Sequence, residues 1–202
     1  MSDHTAEGTH FRGEDWYAEV LGGAWFKGCT FTEVDLTEAT SSGAFFEGCT
    51  FHQCRFNASV HHASAFVACD FRRTNFFDAT FDGCKLLGTV FSECTMRPMK
   101  VIGGQWRGVT LRGTNLTGLD LSRLDLREAD LSLSDLTGAS LRLAQLDGAT
   151  LRETVLTGTD LRGASLTGVD LAAARLTDTL LDLAGAVLLA ERNGAIVTAD
   201  PA

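Results

Sequence analysis

From Phe11 to Leu181 every fifth residue belongs to one series of large apolar centres, and the register never slips. The series has 35 positions: eleven Phe, fifteen consecutive Leu from Leu111 onward, the earlier Leu21, Leu36 and Leu86, then Trp16, Met96, Val101 and Trp106, with only Ser41 and His61 breaking it. A period of five fits neither the alternation of a strand nor the 3.6-residue turn of a helix. It requires a backbone that turns once per repeat. Two residues before most centres the chain is small (Ala, Cys, Ser, Thr or Val), and just before the centre Asp, Asn or Thr recur, as at Asp35, Asp70, Asn75, Asn115 and Asp120. Two residues after the centre, glycine dominates: 17 of the 21 glycines stand in that register. Glycine gathers where a tight turn takes positive φ. Each repeat therefore reads as a short extended piece closed by a turn, with the centre and the small position facing inward. Such a chain winds around a filled axis, each coil burying its apolar residues against the next, and needs caps at both ends.

The pattern small–Asp/Asn–Leu/Phe–polar–Gly, as in Ala129-Asp130-Leu131-Ser132-Leu133 and Ala164-Ser165-Leu166-Thr167-Gly168, resembles the pentapeptide-repeat family. The resemblance implies an all-β solenoid: a right-handed quadrilateral parallel β-helix with four repeats per coil. About nine coils at a strand spacing of ~4.8 Å make a rod of roughly 40 Å. Residues 1–10 are expected to be disordered or an N-terminal cap, 11–181 the β-helix, and 182–202 a C-terminal helix and tail. Phe fills most centres from Phe26 to Phe91 and Leu every centre from Leu111 to Leu181, so two sub-rods are expected to meet near 96–106, beside Pro98. Ser41 and His61 are 20 residues apart and lie on one side of successive coils, where polar centres are expected to loosen the wall into a bulge or loop. After Leu181 the pattern turns helical, with Asp182 as N-cap and Asn193-Gly194 as stop, and Ile196 and Val197 are expected to add a last extended piece.

Six cysteines (Cys29, Cys49, Cys54, Cys69, Cys84, Cys94) share the small inward register with Ala24, Ala39 and Ala79. They read as reduced, buried, small apolar residues, not as a disulfide or zinc framework. His52, His61 and His62 cluster, but no acid or thiol sits at a ligand spacing that the repeat does not already explain. There is no phosphate-binding glycine loop, no HExxH and no nucleophile elbow. No catalysis, cofactor or metal is expected. The start, MSDHTAEGTH, has no apolar run behind a basic patch, and the longest apolar stretch, Leu183 to Ala190, is far short of a membrane span. The protein is expected to be cytoplasmic, with no membrane partner.

Function is left to the surface. The net charge of −9 disfavours direct nucleic-acid binding. Sorted over four sides, the charge concentrates on the one centred on Trp16, Leu36, Phe56, Phe76, Met96, Leu116, Leu136, Leu156 and Leu176. That side nets −4, from Glu14, Asp15, Asp35, Glu38, Asp78, Asp135 and Asp178 against Arg55, Arg97 and Arg175. A narrow rod with an acidic side is shaped like a duplex surrogate. Duplex DNA carries one charge per ~1.7 Å, about 24 over roughly 40 Å, so charge alone would not let this rod compete for a basic groove. The alternative is a scaffold for an unrelated protein, with the acids serving only solvation.

The stretch Ala65 to Met99 and the details Leu86-Leu87-Gly88-Thr89-Val90-Phe91 and Met96-Arg97-Pro98-Met99 are similar to the mycobacterial fluoroquinolone-resistance and Qnr subgroup of the family. The tail Leu188-Leu189-Ala190-Glu191-Arg192-Asn193-Gly194-Ala195-Ile196 is also similar to that subgroup. The resemblance implies a homodimer through the C-terminal ends, with Leu183, Val187, Leu188, Leu189, Ile196 and Val197 at the interface. It also implies a DNA mimic that binds DNA gyrase, with topoisomerase IV a second candidate, and that confers resistance or self-immunity to quinolones or natural topoisomerase poisons. The acidic contacts, Glu14, Asp15, Asp35, Glu38, Asp78 and Asp135, come from the side count. The longer loops of Qnr proteins are absent because the five-residue register is never interrupted.

Overall fold

The computed structural model describes residues 4–198. Strands of three residues stack in parallel with a step of 20 residues, which is four repeats, so each coil has four sides. One sheet holds Thr5–Glu7, Trp25–Lys27, Phe45–Glu47 and Ala65–Val67. A second runs from His10–Arg12 through Thr30–Thr32, Thr50–His52 and Asp70–Arg72 to Val90–Ser92. A third holds Thr40–Ser42, Val60–His62, Thr80–Asp82 and Lys100–Ile102. The fourth side, centred on Trp16, has only single bridges, Asp15 to Asp35 to Arg55 to Asn75 to Thr95. Continuous sheet is thus four or five rungs deep; beyond it, single bridges such as Gln105–Asp125, Gln145–Ser165 and Asp160–Leu180 carry the winding to its end. The winding also begins earlier than Phe11, since Thr5–Glu7 already pairs with Trp25–Lys27.

The centres fill the axis. Phe31, Phe51, Phe71 and Phe91 form one stacked column, with ring centroids 4.6, 4.5 and 5.1 Å apart. Phe26, Phe46 and Phe66 form a second. From Leu111 onward, where every centre is Leu, strand gives way to turn, in line with the strand preference of aromatic residues, although on the Trp16 side Phe56 and Phe76 are already turn-type. In the turn-type repeat the N–H three residues on donates to the central carbonyl, as Ala139 does to Leu136 (2.9 Å). The residue two after the centre then has positive φ, which explains the glycine register.

The strand-type repeat lacks that turn bond, and every cysteine stands one coil beyond such a repeat. Its central carbonyl accepts from the small residue of the next coil: Cys49 Sγ donates to the Phe26 carbonyl (3.5 Å), Cys54 to Phe31 (3.4 Å) and Cys84 to His61 (3.2 Å). Thr74 and Thr89 do the same toward Phe51 and Phe66. Above turn-type centres the small residue is plain Ala139, Ala144 or Ala149, or a hydroxyl residue that bonds the same carbonyl a second time, as Ser134 does to Leu111 at 2.6 Å and Thr159 to Leu136 at 2.7 Å. The thiols remain free, and burial pushes those of Cys54, Cys84 and Cys94 up to about 11. Cysteine is therefore a small apolar residue that also supplies a donor. Cys54→Val is expected to cost about 1 kcal/mol more than its isostere Cys54→Thr, because only Thr restores a bond to the Phe31 carbonyl. Paired urea denaturation curves check this; equal losses would refute the donor role.

The expected loosening at Ser41 and His61 does not occur. Both are buried within strands. His61 Nδ1 meets Ser41 Oγ at 2.8 Å and Nε2 meets Ser59 Oγ at 3.1 Å. Ser41 also bonds Ser64 Oγ at 2.8 Å, and Ser59 donates to the Phe56 carbonyl at 2.7 Å. A polar pair one above the other satisfies itself, so the wall stays regular. Ser59 has spent its proton on Phe56, so it accepts from His61 Nε2–H, and Nδ1 accepts from Ser41. The imidazole is neutral, and burial pushes it down to about 3.

At the C-terminal end, helix α1 (Leu183–Arg192) starts at Asp182, whose Oδ1 accepts from the Gly185 N–H at 2.9 Å, and stops at Asn193 and Gly194. Leu188 and Leu189 pack on the core as a lid. Ile196 and Val197 form no further strand. No helix among the described residues is long and apolar enough to cross a membrane.

Candidate functional site

The repeat places the six acids in three different registers, two of them outward, with Glu14 exposed in the small register that faces inward in later coils. Asp15, Asp35 and Asp135 precede their centres, and there the carboxylate is a turn element. Asp15 Oδ1 accepts from the Tyr17 N–H (3.0 Å), Asp35 from the Thr37 N–H (3.0 Å), and Asp135 from the Thr137 N–H (2.9 Å) and hydroxyl (2.6 Å). Asn75, Asp120, Asp125, Asp130 and Asp160 make the same bond elsewhere. The side chain thus mimics a backbone turn, which is why Asp and Asn recur in this register on every side. Burial opposes the charge on Asp35, but Arg55, with Nη2 2.6 Å from Oδ2, and the Thr37 bonds outweigh it and hold the carboxyl below its usual range. The Thr137 bonds hold Asp135 low.

Glu38 and Asp78 stand two after their centres and project into solvent. Glu38 Oε2 accepts from the Tyr17 hydroxyl at 2.8 Å, and Asp78 lies 3.7 Å from Lys100 Nζ. Glu14 accepts from the Trp16 indole N–H at 2.8 Å. Arg55 separates Asp35 from the rungs above, and Asp135 lies several coils further on. Of the predicted set, the structure therefore brings together Glu14, Asp15, Asp35 and Glu38 near the N-terminal end, and leaves Asp78 and Asp135 apart. Elsewhere arginine pairs with some outward carboxylates, Asp70 with Arg72, Glu93 with Arg73, Glu128 with Arg107, Asp125 with Arg127, and Asp160 with Arg142 and Arg162, while others such as Glu33, Asp120 and Asp130 make no ion pair among the described residues. Glu14, Asp15 and Glu38 make no ion pair among the described residues.

Charge counting missed the aromatics on this side. Tyr17 (54% exposed) and Phe77 (50% exposed) share the outward register one after the centre. The visible signal was an aromatic in a register otherwise filled by Thr, Asn and Arg. Glu38 raises the Tyr17 phenol above its ordinary value, first through the hydrogen bond. The C-terminal candidates divide. Leu183 (81% exposed) and Ile196 (90% exposed) face solvent with Val197, whereas Leu188 and Leu189 pack inward and Val187 is half-buried. No group of three or more His, Cys, Asp or Glu among the described residues could hold a metal ion.

Family models for pentapeptide repeats match residues 16–60, 65–97, 107–142 and 144–182. The chain belongs to the pentapeptide-repeat family. No curated protein matches it. Among solved structures it is similar to HetL, a pentapeptide-repeat protein involved in heterocyst differentiation regulation from the cyanobacterium Nostoc sp. strain PCC 7120. That match has 20% identity, covers 89% of this chain and 90% of HetL, and has a TM-score of 0.52. It is also similar to a trypsin-treated variant of QnrB1, a plasmid-mediated fluoroquinolone resistance protein, with 19% identity, 96% and 100% coverage and a TM-score of 0.52. At these identities the likeness establishes the fold alone.

Proposed function

We propose that this protein is a DNA-mimicking pentapeptide-repeat protein that binds DNA gyrase, modulates supercoiling and confers resistance or self-immunity to quinolones or natural topoisomerase poisons. The observation that carries this reading is the cluster Glu14, Asp15 and Glu38, gathered near the N-terminal end on one side of a narrow rod and in no ion pair among the described residues. Exposed Tyr17 and Phe77 add apolar area beside the charge, which makes up for a charge density below that of duplex DNA. The protein works by binding, without catalysis. Exposed Leu183, Ile196 and Val197 form the centre of a homodimer contact between C-terminal ends, since contiguous apolar area on an end cap is costly to leave in water.

The test is gyrase supercoiling against increasing protein, with and without a quinolone. Inhibition without drug, or rescue with it, supports the reading; no effect in either arm leaves a scaffold for another protein. The likeness to HetL, as high as that to QnrB1, favours that scaffold as the second reading. The choice of substitutions follows from the registers. Asp35→Lys would remove a turn element and set a lysine against Arg55, so a loss of binding would be confounded with misfolding. Glu38→Lys with Asp78→Lys leaves the turn bonds intact and gives up only the exposed contacts with Tyr17 and Lys100. The pair is expected to weaken gyrase binding tenfold or more, about 1.4 kcal/mol, and to flatten its dependence on salt. Unchanged affinity in a binding titration at two ionic strengths would rule out this acidic side.

A further inference from the structure

Between residues 94–103 and 114–123 the ladder that joins successive coils opens along two whole sides. On these, the Trp16 and Leu21 sides, the next pair of coils shares six backbone bonds. They run from the N–H groups of Leu116, Gly118, Leu121 and Arg123 to the carbonyls of Asp135, Thr137, Ser140 and Arg142, and from Asp135 and Ser140 back to Thr114 and Leu119. At the opening every equivalent bond is missing. Met96, Val101 and Gly103 donate nothing upward, Asn115 and Asp120 nothing downward, and Pro98 has no N–H to give. The other two sides of the same coils stay closed, with Leu86 to Gln105 (2.8 Å), Gly88 to Arg107 (3.0 Å), Phe91 to Thr110 (2.9 Å) and Thr110 to Thr89 (2.9 Å), up to Glu93 at the edge of the opening, which donates no upward bond. The opening is a wedge. Its mouth is a crevice of about 460 Å³ lined by Val101, Ile102, Gly103, Asp120, Ser122 and Arg123. An exposed bond crosses its Trp16 side, Arg97 Nη1 to Asn115 Oδ1 at 3.3 Å. The core beneath contains Met96, Met99 and half-buried Val101 in place of stacked Phe. Unbranched methionine adapts to changing gaps better than an aromatic stack.

We propose that this wedge is a hinge, and that the rod bends by opening and closing it about the Phe26 and Phe31 sides. A solenoid coil is held by its neighbours above and below, so its stiffness is a sum of nearest-neighbour terms. Losing the bonds on two adjacent sides leaves one axis, along the closed sides, about which the halves rotate. The crevice gives room for that rotation. The hinge stands apart from the identity of the partner, but it bears on the acidic side: Glu14, Asp15 and Glu38 lie before it and Asp135 beyond it, on the side that opens. The spacing of these charges is then adjustable to a partner's curvature.

Amide hydrogen exchange on the unmodified protein tests the opening. Met96, Val101, Gly103, Asn115 and Asp120 are expected to exchange at least about a hundredfold faster than Leu116, Leu121, Arg123, Asp135 and Ser140 one step up. Pulsed electron spin resonance tests the motion, using nitroxide pairs three coils apart on the Trp16 side in a Cys94→Ser background. Tyr17→Cys with Phe77→Cys lies within one half, Thr117→Cys with Thr177→Cys within the other, and Phe77→Cys with Thr137→Cys spans the wedge. The spanning pair is expected to give a distance distribution about twice as wide as the other two. Equal exchange rates would mean a closed ladder, and fast exchange with three equal widths a rigid cleft; either result overturns the hinge.

Discussion

Gly104→Ala is expected to destabilise the protein by about 3 kcal/mol or more, the largest effect of any single methyl group in the chain. Gly104 occupies the small inward register where other repeats have Ala or Cys, so in sequence it looks replaceable. Its φ is +112°, and a Cβ built there would lie 2.4 Å from the Cys84 carbonyl oxygen and 3.2 Å from the Cys84 nitrogen. Both are backbone atoms of the coil below, so neither can rotate away. Gly118 also has positive φ, +68°, but its Cβ would meet nothing within 4 Å. Gly118→Ala is expected to cost only about 1 kcal/mol, the strain of the left-handed conformation. Urea midpoints for the two variants decide the matter; similar losses would show that the close approach at Gly104 is relieved at little cost.

Acid is expected to unfold this protein through His61. Its imidazole is held neutral down to about 3 by burial, while the same group in the unfolded chain titrates at 6.5. Between those values the unfolded state binds a proton that the folded state does not. Stability is therefore complete above pH 6.5 and falls by about 1.4 kcal/mol per unit below it, about 2.7 kcal/mol by pH 4.5. Carboxylates held low, such as Asp35, Asp125 and Asp160, lose their contributions as pH falls through the ordinary 3.8, and exposed Glu93 and Glu128 as it falls through 4.5, so the decline between 6.5 and 4.5 belongs mainly to His61. His61→Phe isolates the effect. Ser41 keeps Ser64 and Ser59 keeps the Phe56 carbonyl, so no hydroxyl is orphaned, and a Phe would sit over Phe81 as its neighbours do. Thermal melts of this variant should be flat with pH across the window where the parent declines. A parallel decline in both would mean that another group governs the acid limb.

The period of five was enough to read a solenoid, its filled axis and its glycine turns, because a side chain that recurs at every turn of the backbone faces the same environment each time. The helix at 183–192 was legible for a similar reason: its cap and its stop are local chemistry, in Asp182 and Gly194. The candidate site was legible only in part. Counting charge along the Trp16 side located the acids but treated all six as alike. Position within the repeat separates them, since Asp15, Asp35 and Asp135 close turns while Glu38 and Asp78 face water.

The polar pair at Ser41 and His61 shows where reading by repeat stops. Each is a misfit in its own repeat, and only the 20-residue step that stacks one on the other turns two misfits into a hydrogen bond. The same step decides that the Cys54 thiol meets the Phe31 carbonyl, that Gly104 cannot carry a methyl group, and that the ladder opens between residues 94–103 and 114–123 while its other two sides hold. The coil, its period and its buried faces were already written in the residue order, because they follow from each residue's own solvation and turn preference. Which coils bond to one another, and which carboxylates go unpaired, was settled in three dimensions, because those outcomes depend on atoms about 20 residues apart meeting across a spacing of ~4.8 Å.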